Sequence, residues 1–218
     1  IEHVGDLGGG TGTLGYLPGK GDKAILLRAD IDALPIHEET GLPYASTIEG
    51  KMHACGHDGH VSILLGAARI LREMADENEL PNPVLFCFQP AEEGGGGGLK
   101  MVEDGVLDGT VIGPPAARAF GLHGWPKMPL GQAGSIPGPM LAAADRFELL
   151  VEGTGGHAAA PQYAQDPVLC AAHIVTALQA LVSRESDPLD AVVLTVAAIH
   201  AGDAFNVIPR TATMGGTV

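Results

Sequence analysis

The stretch V-L-F-C-F-Q-P-A-E-E, residues 84–93, decides how this chain folds. Val84 to Phe88 is a short, unbroken apolar run after a proline-bearing polar turn over 78–83. That pattern predicts a strand buried on both faces, as in a parallel sheet covered by helices. Pro90 ends it, and two adjacent carboxylates, Glu92 and Glu93, follow at the strand's carboxyl end. Upstream, Ala24 to Ala29 (A-I-L-L-R-A) predicts a second buried strand, ending at Asp30-Ile31-Asp32. Downstream, Arg118 to Leu122 predicts a third, ending at His123-Gly124-Trp125-Pro126. Between the first two, Val61, Leu64, Leu65, Ala68 and Leu71 recur at helical spacing and predict a helix over 61–74, with Asp58 as its cap. A short helix is expected over 99–104. Strand, helix, strand, helix, strand reads as an α/β fold with a mostly parallel sheet. Ligands gather at the carboxyl ends of the strands in such sheets. Asp30 and Asp32, the Glu92–Glu93 pair and His123 each sit at one of those ends.

The loop before the helix, M-H-A-C-G-H-D-G-H over 52–60, packs His53, Cys55, His57, Asp58 and His60 into eight positions. Thiolate, imidazole and carboxylate together suit a borderline transition metal such as zinc. Adjacent glutamates have diverging side chains, which allows one to bind an ion and the other to carry a proton. Metal-assisted hydrolysis is the chemistry these residues point to. A Cys–His nucleophilic hydrolase would leave Glu92, Glu93 and Asp32 without a task. The glycine run Gly94 to Gly98 lacks the Gly-Lys-Ser/Thr of a phosphate loop. The histidines also do not form the H-x-E and P-C-x-x-C pattern of zinc deaminases.

From about Asp145 the texture changes. Arg146 to Glu152 alternates polar and apolar residues, and Gly153 to Gly156 reads as a loop. An amphipathic helix is expected over 167–184, then strands over 191–199 and 211–218. This is part of a small α+β unit with an antiparallel sheet, so two domains are expected, 1–142 and 143–218. Net charge is −14, with no basic cluster, which argues against nucleic acid as a partner. No uninterrupted apolar run reaches the eighteen or so residues of a membrane span. Three cysteines with no framework spacing favour a reducing, cytoplasmic setting.

Six segments, L-R-A-D-I-D-A-L-P-I, M-H-A-C-G-H-D-G-H, F-Q-P-A-E-E-G, G-L-H-G-W-P, G-G-H-A-A-A-P and F-N-V-I-P, carry a family resemblance in their order along the chain. They resemble the amidohydrolase branch of the aminoacylase/carboxypeptidase metallopeptidase clan. Hippurate hydrolases, N-acyl-amino-acid deacylases and plant indole-acetyl-amino-acid hydrolases belong to that branch. The resemblance implies a zinc-peptidase-like catalytic domain, 1–142, and an inserted lid or dimerisation domain, 143–218, both incomplete.

It also implies two divalent metal ions, zinc or manganese with cobalt or nickel as substitutes. Cys55, His57, Glu93 and His123 would be ligands, Glu92 the general base, and Asp32 a carboxylate that orients a ligand from behind. His157 would reach the active site of a partner subunit to hold a substrate oxygen, and Asn206 would contact substrate. The implied reaction releases a carboxylic acid and an amino acid from an N-acyl or aryl-acyl amino acid, in a homodimer. A dipeptidase or carboxypeptidase of the same clan, or a truncated non-catalytic relative, is the alternative. Gln162 stands where the family commonly has histidine. Members of this family are longer at both ends, and their fifth ligand, a distal histidine, has no counterpart here, so the chain is expected to be a fragment.

Overall fold

The computed structural model describes residues 1–141 and 143–218, and its contacts divide the chain into two units, Ile1–Leu130 and Gly131–Val218. The boundary expected at 142 falls on the one position outside the described residues.

The first unit is built on a five-stranded sheet. In chain order the strands are β1 (Glu2–Leu7), β2 (Gly12–Leu17), β3 (Ala24–Asp30), β4 (Val84–Gln89) and β5 (Ala116–Gly121). Their order across the sheet is β1-β2-β4-β3-β5. The three strands expected from the apolar runs, β3, β4 and β5, are parallel, with β3 between the other two. The hairpin β1–β2, which the sequence reading missed, pairs antiparallel with β4 and makes the sheet mixed.

Strand alternation sends β4 both ways, as expected for a strand buried on both faces. Val84 and Phe86 meet Leu64 and Ala68 of helix α1 (His57–Glu77), while Leu85 and Cys87 meet Met101 of the short helix α2 (Gly97–Glu103). The buried residues of α1 are His57, His60, Leu64 and Ala68, all on one helical face. The stripe that anchors the helix to the sheet therefore begins with two histidines. Asp58 does not cap α1. Gly56, left-handed at φ 83°, holds that position with no side-chain hydrogen bond. Glycine reaches this conformation without a Cβ clash, so the turn delivering His57 needs no polar cap.

The second unit holds a three-stranded antiparallel sheet in the order β6 (Arg146–Glu152), β10 (Thr211–Thr217) and β8 (Thr195–His200). A two-stranded ladder joins β7 (Gly156–His157) to β9 (Val207–Ile208). The loop expected over 153–156 thus turns into a strand at its last residue. Helix α3 (Pro167–Ala180) is capped by Asp166, whose side chain accepts from the Val168 and Leu169 amides. A π-helical turn, Leu181–Glu185, follows it.

The helix is not amphipathic. Ala171, Ile174 and Val175 pack on Ala212 and Met214 of the sheet, yet Val168, Leu169 and Leu181 are exposed. By length and composition alone, Pro167–Glu185 would suffice to cross a membrane. It packs on its own sheet.

Candidate metal centre

The carboxyl ends of β3, β4 and β5 and the first turn of α1 bring the expected residues of the first unit together. β3 ends at Asp30 with Asp32 just beyond, β4 ends before Glu92 and Glu93, and β5 before His123. Ala91, left-handed at φ 53°, turns the chain sharply after Pro90. The glycine run serves this turn. A Cβ at Gly97 would lie 1.7 Å from the Pro90 carbonyl oxygen, and the Gly97 amide donates to the Ala91 carbonyl. These glycines let the backbone fold onto itself behind the glutamates.

His57 is fully buried at the centre of the group. Its Nδ1–H donates to the Asp32 carbonyl oxygen at 2.9 Å. In the neutral ring this leaves Nε2 as an unprotonated lone pair, and that atom has no hydrogen-bond partner. Nε2 faces Asp30 Oδ2 at 3.6 Å and Glu93 Oε1 at 3.8 Å. A lone pair aimed at two carboxylates without a proton between them is an electron-rich pocket that a cation satisfies. Asp32 Oδ1 is also buried and unpartnered, although it lies 3.2 Å from His57 Nδ1, whose N–H is directed at the carbonyl instead. Asp32 Oδ2 accepts from the Glu93 amide at 2.9 Å. Asp32 thus holds both His57 and the Glu93 backbone.

His123 repeats the pattern. Its Nδ1–H donates to the Gly124 carbonyl at 2.7 Å, and Nε2 lies 3.5 Å from Cys55 Sγ. Potential ligand atoms fall within 4.8 Å of one another in three groups: Cys55, His57 and His123; His57, Glu92 and Glu93; and Asp30, His57 and His60. His57 belongs to all three. The donor set of sulfur, imidazole nitrogen and carboxylate oxygen fits borderline divalent ions.

Of the five candidates in the loop 52–60, the structure brings Cys55 and His57 to this centre. His60 turns instead to the buried Asp30 carboxylate, which His57 Nε2 also faces. His53 and Asp58 are exposed and belong to none of these groups. Asp30 and His60, which the sequence offers as a strand-end carboxylate and a loop candidate with no specific role, are both buried here. Burial alone would raise the Asp30 carboxyl, but the His60 hydrogen bond and the Arg28 guanidinium outweigh it and hold it below its ordinary range.

Burial pushes the Cys55 thiol up to about 11, helped by the hydrogen bond and charge of Glu93 and the charges of Glu92 and Asp30. A Cys–His nucleophile needs the opposite, a thiol acidified toward neutrality. The site therefore speaks against that mechanism. It also sets the sign of a pH dependence, because a cation that takes Cys55 as thiolate must displace a proton. Between about pH 7 and 9 metal affinity should rise about tenfold per pH unit, with one proton released per ion bound at Cys55. Calorimetry in buffers of different ionisation enthalpy measures that proton, and Cys55→Ser should abolish its release.

The two remaining candidates lie in the second unit, where the β7–β9 ladder makes them neighbours. His157 pairs with Val207, and the Ala158 amide donates to the Asn206 carbonyl. The Ala159 amide donates to His157 Nδ1 at 3.1 Å, so the neutral ring carries its proton on Nε2. Both side chains are exposed.

The family profile of peptidase family M20/M25/M40 matches residues 26–217. An IAA-amino acid hydrolase of Arabidopsis thaliana is 49% identical over 207 residues, covering 95% of this chain and 45% of its own length. An N-acetyl-L-cysteine deacetylase of Bacillus subtilis is 47% identical over 209 residues, covering 95% and 48%. Among solved structures, a Bacillus subtilis dinuclear metal-binding peptidase of the same family superposes with a TM-score of 0.70 at 38% identity, covering 100% of this chain and 53% of its own. The chain thus spans about half the length of the curated relatives it matches.

Proposed function

The chain belongs to peptidase family M20/M25/M40, and from that membership we propose that the intact protein is a metal-dependent amidohydrolase. It cleaves the amide bond of N-acyl or aryl-acyl amino acids to a carboxylic acid and an amino acid. The observation that carries this reading is the buried, unpartnered Nε2 of His57, facing carboxylates and surrounded by further ligand types. The relatives that act on IAA-amino acids and N-acetyl-L-cysteine support the substrate class.

Cys55, His57, Glu93 and His123 are assigned as ligands of two divalent cations, zinc or manganese. The dinuclear relative supports the pair. When bound, the cations supply Lewis acidity to the scissile carbonyl and the attacking water. Asp32 fixes the His57 tautomer through its carbonyl and presents the Nε2 lone pair inward. Glu92 takes the proton from the attacking water and returns it to the leaving nitrogen. His157, with its proton on Nε2, donates to the developing oxyanion in the site of a partner copy, and Asn206 contacts the substrate.

We assign both to a lid, 143–218, through which two copies pair. The apolar Leu150, exposed on the sheet face away from α3, supports that pairing. Three free cysteines support a cytoplasmic setting.

The test is hydrolysis of hippurate and N-acetyl-amino acids with added zinc or manganese. Amino acid release that stops on chelation and returns with metal is the expected result. Hydrolysis of dipeptides alone would move the protein to the peptidase side of the family. Turnover indifferent to chelation would end the proposal.

A further inference from the structure

Beyond the ligand set lies a second buried network, and its order is set by one backbone donor. The Gly124 amide donates to His60 Nε2 at 2.7 Å. An amide can only donate, so this nitrogen carries no proton. The proton of the neutral ring is on Nδ1, which donates to Asp30 Oδ1 at 2.6 Å. Asp30 is fully buried at the end of β3, and its other oxygen accepts from Arg28 at 2.8 Å. Arg28 in turn donates to Gln89 at the end of β4. Both nitrogens of His60 are therefore engaged, and neither is free to bind a metal, although His60 lies in a group with ligand-like spacing. The carbonyl of the same residue, in the next peptide unit, accepts from the His123 ring Nδ1–H. The two rings lie against each other with centroids 4.8 Å apart.

We propose that Asp30 and His60 are a positioning pair that anchors residue Gly124 by its amide and, through the carbonyl of that residue, aims His123 Nε2 at Cys55. The inference rests on His123 being a ligand, as proposed above. Asp30 orients His60, His60 anchors the Gly124 amide, and the Gly124 carbonyl sets the tautomer and direction of the His123 ring. The end of β5 and the first residue beyond it, Phe120 to Leu122, are exposed, so the placement of the loop that follows depends on such an anchor. Outer partners of this kind typically contribute about 10–100-fold in metal affinity.

The experiment is a double-mutant cycle on Co²⁺ binding by the whole chain, read by absorption, stoichiometry and affinity. His60→Leu should weaken binding about tenfold or more with stoichiometry unchanged. His60→Gln, whose amide oxygen can still accept from Gly124, should recover most of that loss. In a His123→Ala background, His60→Leu should cost nothing further. Additive losses, or one ion fewer per chain in His60→Leu, would overturn the pair, the second by making His60 a ligand. If wild type binds no Co²⁺, or His123→Ala leaves binding unchanged, the ligand assignment itself fails and takes the pair with it. Nitrogen NMR of labelled histidine in the unmutated protein needs no variant to fold. It should show His60 protonated at Nδ1 alone, and any other form overturns the proposal.

Discussion

Glu92→Gln should lower amide hydrolysis by about 10²–10⁴-fold, the usual contribution of a positioned general base, while the protein keeps its full metal complement. Glu93→Gln should instead lose metal. The two residues are adjacent, and carboxylate oxygens of both come within 4.8 Å of a His57 nitrogen, so proximity alone does not separate their roles. Their surroundings do. The Glu93 amide is tied to Asp32, its Oε1 lies 3.8 Å from His57 Nε2, and its side chain is only 27% exposed. The Cys55 thiol also responds to Glu93 before Glu92, through both a hydrogen bond and charge. These surroundings support the proposal that Glu93 is a ligand and that Glu92 is the carboxylate left to accept a proton. Glutamine keeps the shape of glutamate but cannot take that proton, which makes it the discriminating replacement. Metal analysis and kcat measured on the same preparations decide the matter. A Glu92→Gln protein that turns over at the wild-type rate, or arrives without metal, would reverse the assignment.

The legible parts of the chain were those whose signal is local. β3, β4 and α1 announce themselves because burial on both faces of a sheet demands unbroken apolar runs, and burial of one helical face demands a stripe. The β1–β2 hairpin has neither. Gly5, Gly12 and Gly15 interrupt its six-residue strands, and β1 is mostly exposed, although β2 places Leu14 and Leu17 in the core. α3 was visible as a helix but not in its exposure. Its sequence is apolar around most of its circumference, so no stripe reveals which side meets the sheet.

In the site, Cys55 and His57 stand out because ligand types are dense in one loop. Asp32, Glu92, Glu93 and His123 stand out because each follows a strand. The Asp30–His60 contact spans thirty positions and exists only once α1 lies on β3, so no spacing rule reports it. The β7–β9 ladder, two residues per strand, is likewise too short to show a period, yet it makes His157 and Asn206 neighbours. The glycine run carries no ligand signature in the sequence, and the structure uses it for the chain's own Pro90–Ala91 turn.

His57→Ala should abolish tight metal binding. The loss should exceed the roughly 10–100-fold that accompanies removal of an outer hydrogen-bond partner, because among the described residues His57 is the one common to every ligand-like group. Its Nε2 faces Asp30 and Glu93, so removing the imidazole both deletes a ligand and leaves those carboxylates with nothing between them. No neighbour can take its place. His60 has both nitrogens engaged, and His123 is held by its own Gly124 carbonyl. The consequence is also thermodynamic. A ligand that binds only the folded chain stabilises it by about 2.7 kcal/mol at a hundred times its Kd. Wild-type protein should therefore melt at a higher temperature as zinc or manganese is added, and His57→Ala should not. Melting the metal-free proteins side by side separates this from simple packing loss. The variant should start lower because the ring is fully buried, but only the response to metal tests the ligand role. If His57→Ala keeps the metal-induced rise in Tm, the cation does not sit at the unpartnered nitrogen, and the centre must be sought elsewhere.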